Sequence, residues 1–351
     1  MSKQIYVQAQ ADYIASLAKA APVSAIEELV WNALDADARE VRVDLVTNAL
    51  GAVDAVRVSD DGTGIDVFKA DSTFGFLGGS WKRTGGETDG SHRRLHGRHG
   101  CGRFKAFALG AHAEWRTTVR VGGENLSYVL SGDLDNPGVF NLESSPTPGP
   151  GTGTEVYVTN VSANSDSLQD AASTVQSLAA KFALYLKSYP DVRIYFNGLP
   201  VTPVIVQRRT TDYSLRTEGG AEAKLEIIEW KCKFQGAGRI VFAGTDGFQL
   251  HEQPAGVRSG GIPFTAYLVS SRFPALAAEN ALVMDELNPE VRGYIDAAKA
   301  QLKAHFLVEA DEHIRAFRKE WKKRIENFSE TEKRTLLSLL KKSLNASATV
   351  S

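Results

Sequence analysis

The chain has 351 residues, of which 43% are hydrophobic and 23% charged, and its formal net charge is −2. This composition supports real hydrophobic cores and two domains, and a charge so close to zero argues against a protein that coats nucleic acid with its whole surface. Two cysteines make no disulfide framework and suit a reducing compartment, so we expect a cytoplasmic protein. No apolar run resembles a signal peptide or approaches the roughly 20 apolar residues of a membrane span.

Two helices are predicted near the start of the chain. Residues 10–20 form a short one, and a longer one covers 24–38, where Ser24 and Glu27 have the spacing of a capping box. Strands are predicted next, over 40–46 and 53–59.

Polar side chains line one face of the longer helix. Glu28, Asn32 and Asp35 are spaced at i, i+4 and i+7, so a helix places them on the same side. Lys and Arg are absent between Lys19 and Arg39, so these carboxylate and amide groups have no cationic partner nearby in the sequence. A solvated polar face would show the same pattern, and the spacing alone leaves both interpretations open.

A glycine motif follows the second strand. Asp60, Gly62 and Gly64 have D-x-G-x-G spacing after the segment VRVS. The glycines permit a tight backbone path and the close approach of a ligand, and the aspartate can accept a hydrogen bond from an exocyclic amine. An acidic β-turn has the same residue types, so a turn remains the alternative to a binding site.

Residues 66–103 are rich in glycine, and a loop this long is usually functional or mobile. It ends in a G-x-x-G-x-G pattern, Gly97–Gly102, ahead of a plausible helix whose free amides would suit phosphate. Seven Lys and Arg lie from Lys82 to Lys105 against two acidic residues, which favours phosphate attraction over a plain solvated loop. Zinc binding is a weaker alternative for the H-x3-H-x2-H-x-C pattern, whose spacing matches no standard finger. Its members are His92, His96, His99 and Cys101.

The later elements complete a first domain and build a second. Strands are predicted over 114–121, 125–131 and 154–159, followed by an amphipathic helix over 167–188. The strand DVRIYF is taken as the start of the second domain. Further strands over 224–234, 239–244 and 266–270 precede a helix over 289–325. Residues 315–342 contain ten Lys and Arg against four Glu, which fits a nucleic-acid contact, a partner-docking helix or a plain surface helix.

The helix face, the two glycine motifs and the strand entered through Gly153 and Thr154 together resemble the GHKL ATPases over about residues 10–160. The nearest branch is that of MutL, MORC and the ninety-kilodalton heat-shock chaperones, and the sensor histidine kinases fit worst. The resemblance implies a two-layer α/β sandwich, the Bergerat ATPase fold, then a smaller α/β transducer-like domain and a helical C-terminal tail. We expect the ATPase domain at 1–190 with a lid at about 75–103, the transducer-like domain at 191–310 and the basic tail at 311–351.

The resemblance also implies residue roles. Glu28 matches the general base for the attacking water, and Asn32 matches the magnesium ligand. Asp60 matches the acceptor of the adenine amine, helped by Thr154, and we add Asp35 from the same helix face. Gly62 and Gly64 match the glycines that make room for the nucleoside, and Ser80 and Lys82 match an element of the ATP lid. The loop that wraps the phosphates corresponds to Gly97, Gly100, Cys101, Gly102 and Arg103. The transducer residue that reaches the γ-phosphate stays open among Lys231, Lys233 and Arg258, with Arg258 preferred.

The implied function is slow, magnesium-dependent ATP binding and hydrolysis that drives lid closure and homodimerisation. The partners expected besides ATP are nucleic acid or a separate effector protein, and no membrane. A chaperone-like clamp on protein clients is the alternative, although the chain after residue 200 is short for a client-binding domain. A protein that binds nucleotide without turnover is disfavoured, because Glu28 and Asn32 are both present.

Overall fold

The computed structural model describes residues 19–66, 68, 87–88, 90–96, 102–143, 146–149, 151–231, 233–234, 237–283, 288–320, 329, 331–336 and 338–339. The chain divides into two compact units, Met1–Thr202 and Pro203–Ser351. Each unit has its own β-sheet with helices, so the predicted mixed α/β class is confirmed. The helix predicted over 10–20 lies outside the described residues.

A mixed sheet forms the centre of the first unit. Its described strands are β1 (Glu40–Thr47), β2 (Val53–Asp60), β3 (Gly110–Val121), β4 (Glu124–Asp133), β5 (Phe140–Leu142), β6 (Thr147–Pro148), β7 (Gly153–Val161), β8 (Arg193–Phe196) and β9 (Leu199–Pro200). Their order is β5-β4-β3-β7-β2-β1-β8-β9, and β6 pairs with β4. The described pairs are antiparallel except β1 with β8, which is parallel.

Alternation along the strands gives this sheet two different faces. On one face, Val58 of β2 pairs with Val43 of β1 and Val156 of β7, and all three valines are buried. On the other face, the exposed Arg57 pairs with Asp44 at 3.3 Å. Because successive strand residues point to opposite faces, the apolar face takes the helices and the charged face stays accessible, which makes a two-layer sandwich.

Helix α1 (Pro22–Asp35) and helix α2 (Ala171–Ser188) contact each other, and they contact β1, β2 and β8 of the sheet. Ala21 is the N-cap of α1 and no side chain caps the helix, so the predicted capping box of Ser24 and Glu27 is wrong. Pro22 starts the helix instead, because its ring presets a helical φ and the amide that it lacks would have no intrahelical acceptor. Short 3₁₀ helices at Gly102–Ala108 and Ala163–Gln169 also contact α1.

The strand predicted to open the second domain belongs to the first sheet. Val41 and Val43 of β1 pair in parallel with Ile194 and Phe196 of β8, and the units divide after Thr202. Both β8 residues are buried. The chain therefore returns to its own sheet, beside β1, before it enters the second unit. The local pattern of DVRIYF does not reveal this long-range pairing.

The second unit has a smaller sheet, in the order β10-β11-β14-β12-β13. Its strands are β10 (Gln207–Arg216), β11 (Glu222–Trp230), β12 (Arg239–Ala243), β13 (Gln249–Pro254) and β14 (Phe264–Val269). The helices are α3 (Pro203–Val206), α4 (Phe273–Ala278) and α5 (Pro289–Glu320). Leu302 and Phe306 of α5 join the same buried cluster as Ile227 of β11 and Phe264 of β14.

A buried polar chain ties α5 to the sheet of the second unit. His305 Nδ1 is 2.9 Å from the Tyr213 hydroxyl, and His305 Nε2 is 3.1 Å from Glu229 Oε1. Arg208 Nη1 lies 3.3 Å from the other oxygen of Glu229. The hydrogen bonds of His305 position α5 against this sheet. Within the described part of the chain, no helix has the length and apolar character needed to cross a membrane.

Candidate functional site

Helix α1 supplies the polar face that the spacing predicts, and its three members have different surroundings. Glu28 and Asn32 are partly buried, whereas Asp35, in the last turn, is buried. Asp35 Oδ1 accepts a hydrogen bond of 2.7 Å from the His96 amide. The Asp35 carboxylate therefore holds a neighbouring loop, a structural role that the helical spacing did not indicate.

Asp60 ends β2 on the helix-covered face of the sheet. Its Oδ1 atom accepts two backbone hydrogen bonds, of 2.8 Å from Gly62 and 3.2 Å from Thr154. Burial raises the pKa of the Asp60 carboxyl from 3.8 to about 6, although the two amides pull it down. Among the described residues Oδ2 makes no hydrogen bond, so one oxygen is held by the backbone and the other remains as an acceptor.

The glycines of the D-x-G-x-G motif are required by close backbone contacts. A methyl group on Gly62 would meet the Ala36 carbonyl oxygen, and one on Gly64 would meet the Thr118 carbonyl oxygen. Gly64 also has a φ of +79°, a conformation that a side chain disfavours. The Thr63 amide donates to the Ala36 carbonyl at 2.7 Å, so this turn packs against the C-terminal end of α1.

Thr117 is a site residue that the sequence interpretation missed. Asp60 pairs with Thr154 across β2 and β7, and Thr154 pairs with Thr117 across β7 and β3. The two threonine hydroxyls are 3.1 Å apart, and Thr117 Oγ1 accepts a 2.7 Å bond from the Ile65 amide. The row of Asp60, Thr154 and Thr117 forms a polar strip in an otherwise apolar face. In the sequence, the only indication of this role was that Thr117 is a polar residue within the strand predicted over 114–121.

The residues after the glycine-rich loop meet α1 at Glu28. Lys105 Nζ lies 3.0 Å from Glu28 Oε2, and the side chains are 37% and 16% exposed. A methyl group on Gly102 would overlap the Glu28 carboxylate, so only glycine fits there without displacing it. The guanidinium of Arg103 lies 4.4 Å from the ring of Phe104. The end of the motif therefore contacts the predicted general base.

The loop before that motif is anchored to the C-terminal end of α1. Asp37 accepts hydrogen bonds from the Thr88 hydroxyl and from the Gly90 and Ser91 amides, and these bonds lower its pKa against the opposing effect of burial. Arg93 is only 2% exposed. It donates to the Ala38 carbonyl at 2.8 Å.

The anchoring continues into α2 and along the loop. Arg93 also donates to the Tyr185 hydroxyl at 3.2 Å. The ring of His96 stacks on Trp31 of α1 at 4.3 Å. The described residues 90–96 are thus packed on both helices.

Several predicted site residues lie outside the described part of the chain: Ser80, Lys82, Gly97, Gly100 and Cys101. Of the four residues in the alternative zinc site, His99 and Cys101 also lie outside the described part, whereas His92 and His96 are described. His92 lies 3.8 Å from Glu87, and His96 packs on Trp31. Among the described residues no group of three or more His, Cys, Asp or Glu is arranged to hold a metal ion.

The second unit contains the three candidates for a γ-phosphate contact. The prediction that Lys231 and Lys233 lie on a strand is wrong, because β11 ends at Trp230. Lys231 Nζ donates to the Ile205 carbonyl at 2.7 Å. Arg258 is exposed, in the loop between β13 and β14. The choice among these residues stays a prediction.

Helix α1 connects the two ends of the site. Glu28 and Ala36 are eight residues apart, which corresponds to about 12 Å along the helix axis. Glu28 contacts Gly102 and Lys105, and Ala36 contacts the turn after Asp60. The arrangement fits an acceptor for a base at one end and a carboxylate at the other.

Comparison with known proteins agrees with this geometry. Residues 20–133, which include α1, Asp60 and Lys105, match the family described as histidine kinase-, DNA gyrase B-, and HSP90-like ATPase. For this segment the similarity to GHKL-type ATPases is confirmed. The fold is similar to a crystal structure of the N-terminal domain of a DNA repair protein, with a TM-score of 0.50 and 12% identity over 85% of this chain and 98% of that chain. No curated protein sequence matches the chain.

Proposed function

We propose that the first unit binds ATP along α1 and hydrolyses it slowly with magnesium, as a conformational switch. The observation that carries this proposal is the pair of carboxylates at the two ends of the site. Asp60 offers one oxygen while the backbone holds the other, and Glu28 stands beside Gly102 at the end of the glycine motif. The match of residues 20–133 to the ATPase family supports the same interpretation.

The Asp60 end selects the base. Its free carboxylate oxygen accepts a hydrogen bond from the amino group of adenine, and guanine presents a carbonyl at the equivalent position. Two acceptors facing each other leave buried polar groups unpaired, at a cost of about 1–3 kcal/mol. ATP should therefore bind at least about tenfold more tightly than GTP.

The Glu28 end acts on water. Its carboxylate takes a proton from a water molecule while the water oxygen attacks the γ-phosphorus, and the bond from that phosphorus to the bridging oxygen breaks. ADP leaves with that bonding electron pair. Little covalent work is required of the protein, so positioning of this carboxylate by Gly102 and α1 governs the rate.

The donor set of α1 fits magnesium. Asn32 offers a side-chain oxygen one turn after Glu28, and hard cations such as Mg²⁺ prefer oxygen ligands completed by phosphate and water. Bound there, the ion would neutralise charge on the phosphates. Asn32 would hold the ion, and Asp35, buried against the His96 amide, supports the loop beside it.

The test measures binding and turnover separately. Calorimetry should show that Glu28→Gln binds ATP at least as tightly as the wild type, whereas the variant should lose turnover. Glu27→Gln, a change of the same kind at the neighbouring position, should keep both. Turnover by Glu28→Gln at the wild-type rate would remove Glu28 as the base, and equal affinity for ATP and GTP would remove Asp60 as the adenine acceptor.

The output of the switch is proposed to be homodimerisation, with lid residues 75–103 closing over ATP. A ligand shifts such an equilibrium only by its differential affinity for the closed state. Light scattering and small-angle X-ray scattering on Glu28→Gln should show a compact dimer with ATP and magnesium but not with ADP. Identical mass and radius in both conditions would leave a nucleotide-binding domain without this output.

We propose nucleic acid as the partner, because residues 315–342 are basic and the structure with a similar fold is part of a DNA repair protein. Binding to a DNA duplex should weaken steeply as salt rises, since phosphate contacts release counterions. Salt-independent or absent binding would favour a separate effector protein, and capture of unfolded protein clients would favour the chaperone-like clamp.

A further inference from the structure

The one ion pair that Glu28 makes among the described residues is with Lys105, at 3.0 Å. Lys105 belongs to the 3₁₀ helix Gly102–Ala108, directly after the glycine motif. Gly102 packs against the same carboxylate. Two residues of one short helix thus contact the carboxylate that is proposed to activate water.

This contact conflicts with catalysis in its present form. A carboxylate that accepts from an ammonium group has less electron density to offer to the proton of a water molecule. The ammonium group also neutralises the charge that would repel an incoming triphosphate. The same pair therefore favours the approach of nucleotide and restrains the base.

We propose that Lys105 exchanges partners during the cycle: it pairs with Glu28 in the nucleotide-free protein and moves to the terminal phosphate when ATP binds, which releases Glu28 for the water. This inference rests on the proposed function of the site. A base that acts on water at the γ-phosphorus must lie close to that phosphate, and the ammonium group lies 3.0 Å from the base. Lys105 can therefore change partners by rotating its side chain, without movement of the helix.

The partial exposure of the pair makes this exchange energetically accessible. Lys105 keeps 37% of its side chain exposed, and ion pairs in such settings contribute little in water. A γ-phosphate with two negative charges attracts an ammonium group more strongly than one carboxylate does. The exchange thus proceeds towards the phosphate, and hydrolysis with loss of phosphate returns Lys105 to Glu28.

A double-mutant cycle on equilibrium ATP binding tests this exchange without relying on turnover. The variants are Glu28→Gln, Lys105→Met and the double variant, which keep side-chain size while removing charge. Because Glu28→Gln releases Lys105 in advance, it should tighten ATP binding about fivefold when Lys105 is present. In the Lys105→Met background, the same change should tighten binding less than twofold, since only repulsion is relieved.

Three comparisons make the cycle specific. Lys105→Arg should restore most of the coupling, and Arg42→Ala, which removes a cation from the exposed face of the sheet, should leave it unchanged. With ADP, which lacks the terminal phosphate, the coupling should vanish. Thermal unfolding of each variant checks that the first unit is folded.

Equal effects of Glu28→Gln in both backgrounds would overturn the exchange, because Lys105 would then stay on Glu28 or contribute nothing. Coupling of the same size with ADP would also overturn it, since the terminal phosphate would not be the new partner. These outcomes are distinct from failure of the proposed function. If the wild type binds no ATP, the function itself fails, whereas ATP binding that depends on Asp60 but shows no coupling refutes the exchange alone.

Discussion

Replacing Asp60 with asparagine should abolish tight ATP binding and still leave a folded, somewhat more stable protein. Asparagine has the size of aspartate, and its amide can be placed in two ways. The Gly62 and Thr154 amides both donate to Oδ1, so the carbonyl oxygen of the new side chain must take that position. The NH₂ group then replaces Oδ2, where the adenine amine should donate. Two donors face each other, and the opposite placement would leave two backbone amides without an acceptor.

The size of both effects can be estimated from the structure. An unpaired buried polar group costs about 1–3 kcal/mol, and two opposed donors bring the loss to the upper end, or about 100-fold in affinity for ATP. Stability should change in the other direction. Burial raises the pKa of Asp60 from 3.8 to about 6, which means that the ionised form destabilises the empty protein by at most about 3 kcal/mol at neutral pH. Asparagine removes that cost but makes weaker bonds to the two amides, so a gain of about 1–2 kcal/mol is expected.

The neighbouring aspartate provides a matched control. Asp61 Oδ1 also accepts two backbone amides, from Arg39 at 2.7 Å and Glu40 at 2.8 Å, but its side chain is exposed. Asp61→Asn should therefore leave ATP affinity unchanged. Calorimetric titration with ATP and urea unfolding of the empty protein measure the two effects. ATP affinity of Asp60→Asn within twofold of the wild type would refute the placement of adenine.

Three further predictions follow from the same geometry. The difference in unfolding free energy between Asp60→Asn and the wild type should be near zero below pH 4 and grow as pH rises through about 6. The reason is that the wild type loses stability when the buried Asp60, whose pKa is raised to about 6, becomes ionised. A pH-independent difference in urea midpoints would contradict this prediction. Gly102→Ala should slow ATP turnover about tenfold or more, since its methyl group displaces the Glu28 carboxylate, while its ATP affinity stays within a few-fold of the wild type. The control Gly151→Ala, whose methyl group would meet no atom within 4 Å, should turn over ATP at the wild-type rate. Arg93→Met should lower the free energy of unfolding in urea by about 2–3 kcal/mol, because it removes buried bonds to the Ala38 carbonyl and the Tyr185 hydroxyl. A loss no larger than that of the exposed Arg57→Met, at most about 1 kcal/mol, would show that Arg93 does not hold the described residues 90–96.

Local patterns in the sequence were sufficient to predict the main elements of the site. Helical spacing placed Glu28 and Asn32 on one partly buried side of α1, and the D-x-G-x-G motif placed Asp60 at the end of β2. These predictions work because helix period, strand alternation and glycine conformation depend on a few consecutive residues. They also identified the ATPase-like segment that the family comparison supports over residues 20–133.

Tertiary structure decided what each polar group contacts. Three contacts join residues that are at least 37 positions apart: Asp35 with His96, Thr117 with Thr154, and Lys105 with Glu28. The return of β8 to the first sheet is another such contact. No local pattern encodes them, because register and packing depend on which distant segments bury each other's apolar surface. The sequence determined which residues could act, and the packing of α1 against β2 and the 3₁₀ helix decided which of them meet.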